Sequence, residues 1–139
     1  MSELATTTGV EDLLAEAQAE VDRYTPAEAA AAAREGAILI DIRPLEQRRR
    51  DGLVPAATIV QRNVLEWRLD PRGEHRDPAL ARDDRPVILV CDEGYQSSLA
   101  AATVRRFGVE AADVIGGVQA WMAAGLPLEP AAPQPSAPR

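Results

Sequence analysis

Short apolar segments alternate with helical segments along most of this chain, and that alternation limits the folds open to it. Residues 37–42 and 87–90 are nearly continuous apolar runs with β-branched side chains, as in strands covered on both faces. Residues 112–115 and the shorter run 58–60 are further strand candidates. Because parallel neighbours need crossover connections, this order predicts a three-layer α/β fold with helices on both faces of a parallel sheet.

Helical periodicity fills the intervals between the strand candidates. Apolar residues recur at helical spacing over residues 10–21, and Thr25 and Pro26 form an N-cap and a first-turn proline that open an Ala-rich helix. Residues 97–107 are again periodic and end at Gly108. The order of strand, tight loop and helix is therefore predicted at the centre of the domain. Shorter helical segments are predicted at residues 44–51, at residues 63–69 and around Trp121.

Charge and length narrow the classes of partner. The chain has 139 residues, the size of one ordinary domain, and its formal charge of -7 argues against nucleic acid or an anionic membrane as partner. Its basic residues are all arginine, which excludes a Schiff-base lysine and a phosphate-loop lysine. No apolar run approaches the roughly 20 residues that span a bilayer, and no basic-plus-apolar leader precedes Val10. We therefore expect a cytoplasmic protein.

The single cysteine, Cys91, stands at the carboxyl end of the second clear strand and opens a loop over residues 91–97. Ligands gather at such strand ends, and a loop that closes onto a helix turns backbone N–H groups inward as a cradle for an anion. Gly94 supplies the tight curvature or positive φ that such a cradle needs. Ser97 and Ser98 are placed to cap the helix or to donate hydroxyl hydrogen bonds. The alternative is a buried structural thiol.

Cysteine and histidine counts limit the chemistry further. With one cysteine there is no internal disulfide and no second thiol, so any sulfur held on Cys91 must leave to another molecule. Cys91 and His75, the only histidine, supply too few ligands for a metal site, and we expect neither metal nor cofactor.

Four motifs, in order, resemble those of the rhodanese superfamily, with similarity from about Tyr24 to Leu128. The family's Asp-x-Arg is matched by Asp41-Ile42-Arg43, its Gly-His-Ile-Pro-Gly-Ala stretch by residues 52–57, its Cys-x-x-Gly-x-Arg-Ser loop by residues 91–97, and its Gly-Gly-x-x-x-Trp ending by Gly116, Gly117 and Trp121. Each match is weak singly, but their order and spacing together are specific.

The resemblance implies a doubly wound domain with a central, mostly parallel five-stranded sheet, and it implies a sulfurtransferase. In this family a cysteine thiolate attacks the outer sulfur of a donor such as thiosulfate, releases sulfite and holds a persulfide until a thiol acceptor or partner protein takes the sulfur. Cys91 carries over as the nucleophile, with Asp41, Arg43 and Ser98 in support, the first two as a buried pair beneath the loop. The anion cradle carries over to the backbone of Asp92, Glu93, Gly94, Tyr95, Gln96 and Ser97.

The loop departs from the family pattern in charge. Where many thiosulfate enzymes of the family have arginine, this chain has Asp92 and Gln96, and Glu93 adds a second acid. A helix N-terminus stabilises an exposed anion by about 0.3 to 1 kcal/mol. A like charge ~6 Å away opposes it by roughly 0.7 kcal/mol in water and by nearer ~3 kcal/mol at an effective dielectric of about 20. The direction of the Asp92 and Glu93 side chains therefore decides whether the loop stabilises an anion. We predict weak thiosulfate activity, and a persulfide on a small thiol or a partner protein as the donor.

Three parts are predicted along the chain: an N-terminal helical extension over residues 1–23, a rhodanese-like domain over residues 24–129, and a disordered Pro/Ala-rich tail over residues 130–139. The extension either packs on the domain or mediates dimerisation, and the oligomeric state stays open. Two other functions compete with sulfur transfer. One is a binding or regulatory module in which catalysis has faded, and the other is a phosphatase or arsenate reductase, which Gln96 disfavours because such sites clamp the oxyanion with arginine.

Overall fold

The computed structural model describes residues 7–131, and within that range the chain forms six α-helices and five strands. The strands are β1 (Asp22–Tyr24), β2 (Ile38–Asp41), β3 (Thr58–Ile59), β4 (Val87–Val90) and β5 (Ala111–Val114). The helices are α1 (Val10–Glu20), α2 (Pro26–Arg34), α3 (Leu45–Asp51), α4 (Leu65–Leu69), α5 (Gln96–Arg105) and α6 (Gly117–Ala123), and a 3-10 turn (Arg62–Val64) leads into α4. Most of the predicted tail, from residue 132 onward, lies outside the described residues.

The five strands form one sheet in the order β1-β5-β4-β2-β3, and every neighbouring pair is parallel. The predicted α/β class and five-stranded sheet are therefore confirmed. The strand that precedes Cys91, β4, lies at the centre of the sheet, so that its backbone groups are paired on both sides. Alternate residues of β2 and β4 face opposite cores, which explains why β4 is apolar throughout and β2 is apolar up to Asp41.

Helices cover both faces of the sheet. On one face α1 and α4 pack against α5, and the core there includes Leu89 and Val104. On the other face α2 packs against α6 over Val90 and Trp121. The chain thus forms the predicted three layers.

Helix α2 begins where its sequence predicts. The Thr25 hydroxyl oxygen accepts from the Glu28 backbone N–H at 3.2 Å, and the Glu28 carboxylate accepts from the Thr25 N–H at 2.9 Å. This reciprocal cap satisfies two N–H groups at a helix end that would otherwise lack partners. Hydrogen bonds from the backbone and hydroxyl of Thr25 lower the pKa of the Glu28 carboxyl.

Strand β1 is the element that the sequence pattern does not predict. Its three residues, Asp22, Arg23 and Tyr24, are polar or amphipathic and form an edge strand beside β5, with Arg23 in register with Asp113. A polar run this short carries no period-2 signal, and its pairing is entirely non-local. Two residues of the predicted N-terminal extension therefore belong to the sheet, and the boundary near residue 24 stays a prediction. Among residues 7–131, no helix has the length and apolarity needed to cross a bilayer.

Candidate functional site

The Cys91 side chain is buried at the carboxyl end of β4, within hydrogen-bonding distance of its own loop. Its sulfur accepts from the backbone N–H of Gly94 at 3.1 Å and of Ser97 at 3.4 Å. The Ser97 N–H belongs to the first turn of α5, where peptide dipoles favour negative charge. Two oriented backbone donors therefore converge on the sulfur, as a cradle for a thiolate requires.

Gly94 makes the curvature of the loop possible. Its φ is 88°, and a Cβ at this position would lie 2.6 Å from the backbone nitrogen of Gly116. The predicted positive φ is confirmed, and the close approach of the Gly116 backbone is a second reason for glycine here. Any side chain at this position would push the loop away from the start of α6.

The start of α6 holds the loop from the other side. The backbone N–H of Val118 donates to the carbonyl of Cys91 at 2.9 Å, and that of Gln119 donates to the carbonyl of Asp92 at 3.0 Å. A Cβ on Gly117 would lie 2.6 Å from the carbonyl carbon of Asp92. The Gly116-Gly117 pair thus lets a helix terminus approach the loop backbone closely enough to bond it.

A buried carboxylate lies behind the sulfur. Asp113 of β5 is fully buried, and its Oδ2 accepts from the hydroxyls of Ser97 at 2.7 Å and Ser98 at 2.8 Å. The Arg23 guanidinium donates to both carboxylate oxygens, at 2.9 and 3.3 Å. The Cys91 thiol donates to Ser97 Oγ across 3.2 Å, so the sulfur connects to Asp113 through one hydroxyl.

Neither Asp113 nor Arg23 was expected from the sequence. The signal that could have found Asp113 is a single acid inside an apolar strand, since a buried carboxylate requires partners. Ser97 and Ser98 lie inside α5 rather than capping it, so of their two predicted roles the hydroxyl hydrogen bonds are the one observed.

The predicted buried pair of Asp41 and Arg43 is present. Arg43 donates to the two carboxylate oxygens from Nε and Nη2, at 3.0 and 2.8 Å, and Nη2 also donates to the carbonyl of Gly52 at 2.7 Å. Both side chains are almost wholly buried, and Arg43 lines the cavity that contains Cys91. The supporting role assigned to the pair stays a prediction.

The two acids of the loop point in different directions. The Asp92 carboxylate leaves the cradle and accepts from Arg50 Nη2 at 2.7 Å and from Gln119 Nε2 at 2.9 Å. Arg50 also donates to Asp51, which lowers the pKa of that carboxyl and raises the pKa of the guanidinium. Glu93 is exposed and lines the Cys91 cavity. The charge of Asp92 is therefore paired at the rim, and that of Glu93 faces the entrance.

The cavity over Cys91 has a volume of about 300 Å³. Its lining comprises Ile42, Arg43, Pro44, Gln47, Cys91, Asp92, Glu93, Tyr95 and Gln96. Tyr95 and Gln96 are exposed at its edge, and the Gln96 amide oxygen accepts from Arg62 Nε at 3.3 Å. A second cavity of about 350 Å³ shares Ile42, Arg43 and Pro44 with the first and extends to Arg62. The two cavities therefore adjoin at these shared residues, and together we call them the groove.

Arg50 and Arg62 are further site residues that no local pattern indicates, because their partners lie 42 and 34 residues away along the chain. Within the described part of the chain, no group of three or more His, Cys, Asp or Glu side chains could hold a metal ion.

Comparisons with known proteins identify the family to which this fold belongs. A search of curated proteins gave no match. Among solved structures, a Rhodopseudomonas palustris protein of unknown function, described as a possible tyrosine phosphatase, is 32% identical, with a TM-score of 0.81 over 88% of this chain and 96% of its own. A thiosulfate sulfurtransferase from Pseudomonas aeruginosa is 26% identical, with a TM-score of 0.62 over 80% of this chain but 20% of its own.

A third structure, the polysulfide-sulfur transferase homodimer of Wolinella succinogenes, shares the fold at 24% identity, with a TM-score of 0.66 over 85% of each chain. The sequence model of the Rhodanese-like domain matches residues 25–124, which include every residue of the Cys91 loop and the Asp41–Arg43 and Asp92–Arg50 pairs. The chain therefore belongs to the rhodanese-like domain family.

Proposed function

We propose that this protein carries sulfane sulfur as a persulfide on Cys91. The observation that carries the proposal is the pair of backbone N–H groups, from Gly94 and Ser97, that converge on the sulfur at the end of the central strand. Such donors stabilise an anion at that position, whether it is the thiolate or the outer sulfur of a persulfide. The sulfurtransferases among the similar structures support the same chemistry.

The reaction has two displacement steps. The Cys91 thiolate attacks the outer sulfur of a donor R–S–SH, a new S–S bond forms at Cys91, and the donor S–S bond breaks to release the thiolate RS⁻. An acceptor thiolate then attacks the outer sulfur of the Cys91 persulfide, and the Cys91 thiolate leaves. The acceptor must be a small thiol or a partner protein, because the chain has no second cysteine.

The groove favours a persulfide donor over thiosulfate. Glu93 at the entrance repels a dianion whose charge must enter the cradle itself. A thiol persulfide carries its charged groups further from the reacting sulfur, and the groove continues past Pro44 toward Arg62. Arg62 is paired with Glu66 at 2.7 Å, and the N–H groups that it does not give to Glu66 or Gln96 are the donors available to such a ligand. We therefore expect weak thiosulfate turnover and faster loading from a persulfide, in the cytoplasm, where the free thiol stays reduced.

Intact-mass analysis tests the proposal. The protein is incubated with thiosulfate, glutathione persulfide or inorganic polysulfide, freed of donor and weighed, and Cys91→Ser serves as the matched control. Retention of one extra sulfur by the native protein alone supports the carrier. Absence of an adduct with every donor overturns it and favours the non-catalytic binding module. Rates with thiosulfate equal to those with persulfide overturn the donor preference alone.

A phosphatase is the second candidate, because the Rhodopseudomonas palustris relative is described as a possible tyrosine phosphatase. Gln96 occupies the position at which such loops have an oxyanion-clamping arginine, although Arg62 lies beside it. Hydrolysis of an aryl phosphate that disappears in both Cys91→Ser and Arg62→Gln would support this activity over sulfur transfer.

A further inference from the structure

The buried carboxylate of Asp113 has no part in the displacement steps, yet it connects to the reactive sulfur through a single hydroxyl. Ser97 Oγ lies 2.7 Å from Asp113 Oδ2 and 3.2 Å from Cys91 Sγ. A carboxylate accepts and does not donate, so the hydroxyl hydrogen of Ser97 points to Asp113. Ser97 Oγ then presents a lone pair toward Cys91. This lone pair accepts a hydrogen bond from a protonated thiol and repels a thiolate.

Other groups around Asp113 pair with its carboxylate and hold it in place. Arg23 donates to both of its oxygens, and the Ser98 hydroxyl lies 2.8 Å from Oδ2 and 3.0 Å from the carbonyl of Gly94, so its one hydrogen serves either acceptor. The carboxylate can therefore give up the Ser97 hydrogen bond and still retain both contacts from Arg23. Ser97 is the member of this group that can turn toward the sulfur.

We propose that Asp113 is a positioning residue that holds Cys91 as the neutral thiol, and that the thiolate forms when the Ser97 hydroxyl turns from Asp113 to the sulfur. The Cys91 proton leaves to water in the cavity, and the Ser97 O–H then donates to Sγ together with the Gly94 and Ser97 N–H groups. The proposal rests on the proposed function for its biological use. Asp113 would slow sulfur loading and protect the idle thiol from oxidation.

Persulfide delivery meets the same control, because the Cys91 thiolate is the group that leaves in the second displacement. Negative charge develops on Sγ in both steps, and in each of them the Ser97 hydroxyl has to turn from Asp113 to the sulfur.

The remaining charges around Cys91 come from every side of its pocket. Arg43, at the end of β2, is neutralised by Asp41, and Asp92 in the loop is neutralised by Arg50 of α3. Glu93 at the entrance is exposed, and among residues 7–131 it forms no ion pair. Glu93 thus disfavours the thiolate as well, but from solvent, and only Asp113 acts through a hydrogen-bonded hydroxyl.

The test is the pH dependence of Cys91 alkylation by iodoacetamide, which reports the thiolate and requires no sulfur transfer. Asp113→Asn should move the midpoint of the rate profile down by about one pH unit, which raises the rate at neutral pH up to about ten-fold. Arg23→Gln, which leaves Asp113 without its counter-charge and removes the bond from Arg23 to the Gly94 carbonyl, should move the midpoint up. The fall in Asp113→Asn distinguishes control by Asp113 from general loosening of the site, because a loosened cradle would raise the midpoint in both variants.

A double-mutant cycle isolates the hydroxyl. Ser97→Ala should change the midpoint by less than about 0.3 pH unit in the native background, because the hydroxyl gains the thiolate only by giving up Asp113, and the two contributions nearly cancel. In the Asp113→Asn background the same change should raise the midpoint by about 0.5 unit or more, because the freed hydroxyl then serves the thiolate. Ser98→Ala is the comparison, since the Ser98 hydroxyl contacts the same carboxylate oxygen and the Gly94 carbonyl but not Cys91.

An unchanged or raised midpoint in Asp113→Asn, or additivity of Asp113→Asn and Ser97→Ala, overturns the proposal. If Asp113→Asn does not fold, Arg23→Gln decides, and a midpoint that stays constant or falls overturns it. If the alkylation midpoints shift as predicted but no persulfide adduct forms, the proposed function is overturned and the role of Asp113 is not.

Discussion

Two Asp–Arg pairs flank the Cys91 loop and have opposite surroundings. The side chains of Asp41 and Arg43 are 1% and 0% exposed, whereas those of Asp92 and Arg50 are 19% and 51% exposed. The N–O distances are nearly equal, at 2.8 and 2.7 Å. Similar geometry therefore does not imply a similar role. Solvent weakens the attraction within an exposed pair, whereas removing one partner of a buried pair leaves the other charge buried without compensation.

The buried pair supports the structure beneath the loop, whereas the exposed pair sets the charge at the entrance of the Cys91 cavity. Arg43 also bonds the Gly52 carbonyl, which fixes the segment after α3 beneath the loop. Arg50 is half exposed, bonds the carboxylates of Asp51 and Asp92, and neutralises an acid that would otherwise be unpaired beside the groove. Four predictions test this division, each with a different readout.

Asp41→Asn should have the largest effect on stability. It leaves the Arg43 guanidinium buried without its counter-charge, and we expect a loss of about 3 to 5 kcal/mol in the free energy of unfolding. Urea denaturation measures the loss, and Asp92→Asn in the half-exposed pair is the control, expected to lose about 1 kcal/mol or less. Equal losses in the two variants would erase the proposed difference.

Gly94→Ala tests the interior side of the cradle. A Cβ would be strained at φ 88° and would meet the Gly116 nitrogen at 2.6 Å, so we expect a loss of about 2 to 4 kcal/mol and a lower alkylation rate. Gly108 has almost the same φ, 86°, with no atom within 4 Å of its Cβ position. Gly108→Ala should therefore cost only the backbone strain, about 1 to 2 kcal/mol. A loss in Gly94→Ala no larger than in Gly108→Ala would exclude the steric contact.

Arg50→Gln tests the rim. It leaves the Asp92 charge unpaired beside the groove, and we expect loading from an anionic persulfide to slow about two- to five-fold, with a smaller difference at high salt. Arg49→Gln is the control, because it makes the same charge change on an exposed side chain next in the sequence. Stopped-flow loading rates at two ionic strengths measure the effect, and equal slowing in both variants would assign it to net charge alone.

Acid pH should produce the smallest effect. The hydrogen bond from Arg50 lowers the pKa of Asp51 below its ordinary value of 3.8. The stabilisation is therefore fully present above that value and is lost as pH falls through the lower, folded pKa. The melting temperatures of the native protein and Arg50→Gln should differ by a constant amount between pH 7 and about pH 5 and converge in stronger acid. A difference that grows on acidification would contradict the assignment.

The fold was predictable because its signals are local. Strand β4 is a continuous apolar run, α2 carries its own capping residues, and Gly94 marks the one loop position that requires positive φ. Each of these features can be read within a window of a few residues.

What the sequence does not show is which distant residues meet. Strand β1 exists because β5 accepts it at the sheet edge, and Asp113 in β5 finds Arg23 there, 90 residues away along the chain. The direction of Asp92 is likewise set by Arg50, which lies in a run of arginines that reads as an ordinary solvated helix face. Local patterns place elements in order, whereas charge pairing across the site depends on the packed tertiary structure.

The central position of β4 has a consequence for hydrogen exchange. A strand paired on both sides and buried throughout exchanges its amide protons only when the whole domain unfolds, whereas exposed segments such as the Arg50 rim exchange through local opening. Cys91 is attached to the part of the molecule that opens last. Local fluctuations can widen the entrance, but they do not bring the sulfur out, so a donor has to reach the sulfur through the groove.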